Sequence, residues 1–135
     1  MKRFALCLLV LVALALPEIS LAEPDLSGNW SLKITSIDPE GNMVSQSTTM
    51  VLNPSTSPGF YYGTVVTDAS FITVVQEGGN IRFTISCTND LTSGCGATPS
   101  GHRTRTWGSG IAGKKRIDVT WSDDIGLTGI GEAVR

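Results

Sequence analysis

The sequence predicts an all-β domain, an antiparallel up-and-down barrel of about eight strands, preceded by a cleaved signal peptide. Three observations carry this expectation. Apolar and polar residues alternate through most of the chain after residue 22, the period of a half-buried strand. Turn-forming Gly, Pro and Asn clusters recur at spacings of roughly 8–14 residues, as in small barrels and sandwiches. No later segment has a helical period and no long crossover separates the strands, which favours an up-and-down order over a Greek key.

The leader comes first. Lys2 and Arg3 precede a nearly unbroken apolar run from Phe4 to Leu16, and Pro17 to Ala22 end it at Ser20-Leu21-Ala22, with small residues where signal peptidase reads them. The run is shorter than the roughly 20 residues that span a bilayer. Cleavage is expected before Glu23, leaving residues 23–135 as one domain, secreted or periplasmic, with no stable membrane anchor.

Removing 22 of 135 residues leaves 113, enough for a single core. Lys2, Arg3 and Glu18 leave with the signal. Ten basic and twelve acidic residues thus become eight and eleven, a net charge of −3 with His neutral. A mildly acidic chain lacks the electrostatic footprint of a nucleic-acid binder, and no basic amphipathic helix would hold it on a membrane.

Trp30 to Thr35 alternates as the first strand, and Asp38-Pro39-Glu40-Gly41-Asn42 follows as a turn. Ser47 to Asn53 forms the second strand, and Pro54 to Gly59 breaks the chain again. Phe60 to Thr67 and Ser70 to Gln76 are rich in β-branched and aromatic residues. Glu77-Gly78-Gly79-Asn80 is a hairpin signal, because its glycines supply positive φ. Asn80 to Cys87 then places Ile81, Phe83, Ile85 and Cys87 on one face. Gly101 to Trp107 reads as the sixth strand, Gly108 to Gly113 as a turn, and Lys114 to Ser122 as a strand with Ile117, Val119 and Trp121 inward. Thr128 to Arg135 closes the set.

Cys7 is lost with the signal core. Cys87 and Cys95 remain, and in an oxidising compartment a disulfide closing this short loop is the default. It is worth about 2–3 kcal/mol by loop-closure entropy. One histidine and two cysteines make a thiol or metal centre the weaker alternative.

The opening Leu26-Ser27-Gly28-Asn29-Trp30 resembles the Gly-x-Trp start of the calycin group, which includes lipocalins, fatty-acid-binding proteins and avidins. The lipocalin resemblance implies that Trp30 packs near the closed end against an arginine of the last strand, here Arg135. Arg105-Thr106-Trp107, followed by Ile117-Asp118-Val119-Thr120-Trp121, resembles the paired Thr-Trp and Gln-Trp strands of avidin. That implies Trp107 and Trp121 lining a cup. Three departures stand against biotin. Leu32 replaces the polar residue two positions after Trp30, Cys87 takes the place of the fifth-strand aromatic, and no tryptophan follows Trp121. A biotin site depends on buried hydrogen-bond partners, so the avidin resemblance speaks for fold.

Few residues offer catalysis. His102 has no local Ser or Cys partner, and Asp123-Asp124 point to opposite faces, as neighbours in a strand do. The bland reading is an exposed histidine and a capped, solvated turn. Asp38, Glu40 and Asn42 offer oxygens at loop spacing, but Pro39 and the missing acidic tail oppose a calcium loop. Asn29-Trp30-Ser31 is a formal glycosylation sequon overlapping the core tryptophan. A non-enzymatic protein without a cofactor is expected.

One constellation points to binding. Arg103, Arg105 and Trp107 are spaced by two and share one face of a strand. If Trp107 points inward, the two guanidiniums beside it, with Trp121 and Tyr61 or Tyr62, suit an anionic ligand with an apolar body. The alternative puts Trp107 at a rim and the arginines outside, because buried charge is costly unless paired. Adjacent Tyr61 and Tyr62 face opposite sides, one core and one exposed. A second function class is an inhibitor of a secreted or periplasmic enzyme. Ser27 to Leu32 resembles the first strand of bacterial barrel-type metalloprotease inhibitors, although only Glu23-Pro24-Asp25 precede it here. The Cys87–Cys95 loop would be the partner-facing projection.

Overall fold

The computed structural model describes residues 22–65, 70–87, 97–98, 101–102 and 105–135. Its strands are β1 (Gly28–Ile37), β2 (Met43–Pro54), β3 (Phe60–Val65), β4 (Ser70–Glu77), β5 (Asn80–Cys87), β6 (Ala97–Thr98), β7 (Gly101–His102), β8 (Arg105–Ala112), β9 (Arg116–Asp123) and β10 (Thr128–Val134). Eight of them close into an antiparallel barrel in the order β1-β10-β9-β8-β5-β4-β3-β2, while β6 and β7 form a two-residue ladder of their own. This is the up-and-down order expected from short connections. The Glu77–Asn80 hairpin turns at Gly78, whose φ of 64° suits glycine.

Two expectations are corrected. The strand expected over Gly101–Trp107 is divided between β7 and β8, and the turn expected over Gly108–Gly113 is mostly strand. The chain turns later, where Gly113 N donates to Arg116 O at 2.8 Å.

The reason lies inside the barrel. Gly108, Gly110 and Ala112 form the inner face of β8, and Gly129, Gly131 and Ala133 that of β10, on either side of β9. Across the sheet Trp121 stands between Gly108 and Gly129, and Val119 between Gly110 and Gly131. A Cβ on Gly108 would stand 2.7 Å from the Phe83 ring, and one on Gly129 would stand 2.6 Å from the Trp121 ring. Small residues on two strands thus make room for large ones on their neighbours, the alternation by which a narrow barrel fills its interior. The expected core of Trp30, Leu32, Ile34, Phe83, Ile85, Ile117, Val119 and Trp121 is buried or half-buried on the inner face.

One end is sealed by the segment before β1. Leu26 is wholly buried, its carbonyl accepts the Trp30 indole N–H at 2.9 Å, and its N–H donates to the Tyr61 hydroxyl at 3.3 Å. Gln76 Nε2 donates to Pro24 O at 2.9 Å, and Gly78 N donates to Glu23 Oε1 at 2.6 Å. Arg135 completes the seal. Its guanidinium donates to Asp25 O, Ser27 O and Lys114 O at 2.6–2.7 Å while lying over the Trp30 ring. The Trp30–Arg135 packing is the one implied by the resemblance to lipocalins.

Candidate functional site

The barrel interior above Trp30 is not filled. A cavity of about 80 Å³ runs up the axis, walled by the inner faces of all eight barrel strands. Several water-sized groups would fit, since one water needs about 10–15 Å³. Its wall is aliphatic and aromatic: Leu32, Ile34, Ile72, Val74, Phe83, Ile85, Ile117, Val119 and Trp121 among others. Among the described residues the polar ones that border it are Ser70, Thr106 and Arg105, all at the end away from Leu26. Apolar cavities of this kind stay dry and take apolar guests.

Local sequence explains this polarity gradient. β4 turns Ser70, Ile72, Val74 and Gln76 inward, so its polar residues fall at the two ends and its aliphatic ones between. On β8 the inner face carries Thr106 before the small residues begin. Opposite Thr106 in register is Asp123, buried at 4 % exposure. Its Oδ1 accepts from Ile125 N at 3.1 Å and Leu127 N at 2.8 Å, fixing the β9–β10 turn. Asp123 therefore caps a turn, as the bland reading had it, but from a buried position.

The expected binding residues separate. Trp121 is 5 % exposed and forms part of the cavity wall. Arg105 stands at the rim of the cavity, at the end away from Leu26, exposed and on the outward parity of β8, and its carbonyl accepts from Asp124 N at 3.2 Å. Trp107 is 44 % exposed on the outer face, the outer of the two placements open to it and not the inward one that the avidin resemblance implies. With Gly108 and Gly110 required inside, parity sends residues 105, 107, 109 and 111 outward. Tyr62, at 45 %, also points out, and Tyr61 is the tyrosine packed against the core. Arg103 lies outside the described residues, as does the Cys87–Cys95 pairing. The cup implied by the avidin resemblance, with Trp107 and Trp121 side by side, is not formed.

Other candidates are accounted for locally. Asp38 accepts from Asn42 N at 2.7 Å and Asn42 Nδ2 at 2.9 Å, which lowers its pKa and leaves its carboxylate engaged within the turn. His102 belongs to β7. No three His, Cys, Asp or Glu side chains converge among the described residues. The sequence reading missed the polar pair Ser70 and Thr106. The signal that would have placed Thr106 is the pattern Gly108-x-Gly110-x-Ala112, repeated as Gly129-x-Gly131-x-Ala133, which marks the crowded face of each strand.

No protein-family model matches the chain, nor does any curated protein or solved structure.

Proposed function

We propose that this protein is an exported, non-enzymatic binder of a small molecule with a thin apolar body and an anionic head, and that its fold is of the calycin kind. The supporting observation is the cavity, an apolar bore sealed at the Leu26 end and bordered by Ser70, Thr106 and Arg105 at the other. Burial of the ligand's apolar surface would supply affinity at about 25 cal/mol per Å². The head would sit beside the Ser70 and Thr106 hydroxyls, with the outward-turned Arg105 at the rim as the nearest cation, where a charge need not be fully desolvated. The Trp30–Arg135 pair supports the calycin reading.

Inhibition through the leader is the less favoured reading. Glu23 is engaged with Gly78 and Asp25 O with Arg135, so a leader reaching into an enzyme would first have to release both. Biotin binding is disfavoured by Leu32 and by the outward Trp107.

Octanoate and octanol test the proposal, titrated into a Trp107→Phe background so that emission reports Trp30 and Trp121. Octanoate should change the emission and raise the melting temperature, by up to about 2.7 kcal/mol of stabilisation at a hundredfold excess over Kd. Arg105→Glu should weaken octanoate and spare octanol, and Ile72→Phe should block both by filling the bore. The proposal fails if neither ligand stabilises the protein, or if Ile72→Phe leaves binding intact.

A further inference from the structure

The outer face of the barrel carries an ordered surface that the cavity does not use. Register across β5, β8, β9, β10 and β1 aligns Thr84, Trp107, Ser122, Thr128 and Ile37 in one row. The next row is Arg82, Ser109, Thr120, Ile130 and Thr35. Four interstrand steps of ~4.8 Å make each row ~19 Å wide. A shallow groove of about 650 Å³ follows these rows, with Trp107 in its wall.

The composition of the rows is selective. Neither contains a carboxylate, and Arg82 is their one cation. The acidic groups lie in the flanking rows: toward the sealed end Glu77 reaches Arg82 at 3.5 Å and Asp118 and Glu132 both pair with Arg116, and toward the other end Asp124 lies beside Arg105. Thr35 spends its hydroxyl on Ser45 at 2.9 Å. By contrast Thr84, Ser109, Thr120, Ser122 and Thr128 make no side-chain hydrogen bond among the described residues, so five hydroxyls lie along the two rows that hold the exposed indole, with donors and acceptors available to a ligand.

We infer that this face binds a neutral oligosaccharide of equatorially substituted pyranose units, one ring stacked on Trp107. The C–H face of such a sugar is weakly positive and lies flat against the negative π-face of an indole. Its hydroxyls donate and accept in kind with the threonines and serines, and Arg82 adds donors at the edge. An apolar protein partner would instead strip water from five hydroxyls without replacing their hydrogen bonds, at a cost for each. The neutral rows likewise offer nothing to a strongly charged polymer.

Cellohexaose and chitohexaose are the probes, with octanoate as an independent control of the bore. Binding of either sugar should shift the Trp107 indole resonance and the amides of Thr84, Thr120 and Ser122. Trp107→Ala should weaken it at least tenfold, while Trp107→Phe keeps part of it. A Thr120→Val, Ser122→Val double variant should weaken it with Trp107 in place. Octanoate behaviour should be the same in all variants, showing an intact barrel. The inference is overturned if neither sugar binds, or if Trp107→Ala leaves sugar binding undiminished. It is equally overturned if no sugar binds and Trp107→Ala converts a sedimenting dimer to monomer, since the face would then be an interface between copies of this chain.

Discussion

The Arg135 guanidinium lies 4.4 Å from the centroid of the Trp30 ring and at the same time donates to three backbone carbonyls. It ties the segment before β1, the β8–β9 turn and the end of β10 to one aromatic side chain. Arg135→Ala should lower stability by about 1–2 kcal/mol, combining a cation–π contact with charged hydrogen bonds at an exposed site. Arg135→Lys should recover only part, because an ammonium cannot span the three carbonyls as a planar fork does. Urea midpoints at constant m-value measure both, and equal midpoints for Ala and wild type would refute the tie.

Leu26 is the plug beneath Trp30. Leu26→Ala should cost about 2–4 kcal/mol by leaving a void in the sealed end. Thermal unfolding followed by near-UV circular dichroism gives the value, and a loss below about 1 kcal/mol would mean that the end collapses around the void.

Acid should loosen the same end. Asp25 accepts the Ser27 backbone N–H and the Ser27 hydroxyl, and lies near the Arg135 charge, all of which hold its pKa below the usual value. A carboxyl with a lowered folded pKa contributes stability that is present above its unfolded pKa of about 3.9 and is lost as pH falls through the folded value. Asp25→Asn should therefore flatten part of the stability loss between neutral pH and pH ~3. Asp38 and Asp118, lowered by Asn42 and Arg116, should account for further loss. Urea midpoints across this range test it, and an unchanged acid slope in Asp25→Asn would refute it.

The small-residue rows give a coupling test. The sole close neighbour of a Cβ placed on Gly131 is Val119 Cγ2, at 2.8 Å. Gly131→Ala should cost about 1–3 kcal/mol by overpacking. Adding Val119→Ala should recover part of that, giving a favourable interaction energy of at least about 0.5 kcal/mol in a double-mutant cycle. Strict additivity would place the strain elsewhere.

For the cysteines, exported protein should show no titratable thiol, and Cys95→Ser should lower the melting temperature without abolishing the fold, since the barrel has its own core. Free thiols in such protein would exclude a Cys87–Cys95 bond.

Much of the fold was legible because alternation survives where strands face a dry interior. Ile81-x-Phe83-x-Ile85 and Ile117-x-Val119-x-Trp121 could face only one way. β8 was misread for a physical reason. After Thr106 its inner residues are glycines and an alanine, so the apolar side chains on it, Trp107 and Ile111, are the outward ones, and hydrophobicity alone inverts its faces. The same glycines imitate a turn until their partners across the sheet, Trp121 and Val119, are seen to need the space. The sealed end was readable only through the Gly-x-Trp resemblance, because a contact between residues 25 and 135 leaves no local trace.

That contact also bears on how the chain reaches its folded form. Arg135 and Asp25 are 110 residues apart, and the β1–β10 ladder beside them is the seam that closes the cylinder. Each other barrel ladder joins barrel strands that follow one another along the chain, with β6 and β7 intervening only between β5 and β8, so a meander can grow strand by strand; the seam must wait for β10. Such non-local closure slows folding. A chain threaded through a membrane from its amino end would keep β1 unpaired on the side facing β10 until the last strand emerged, and so would cross unlatched and lock only on arrival.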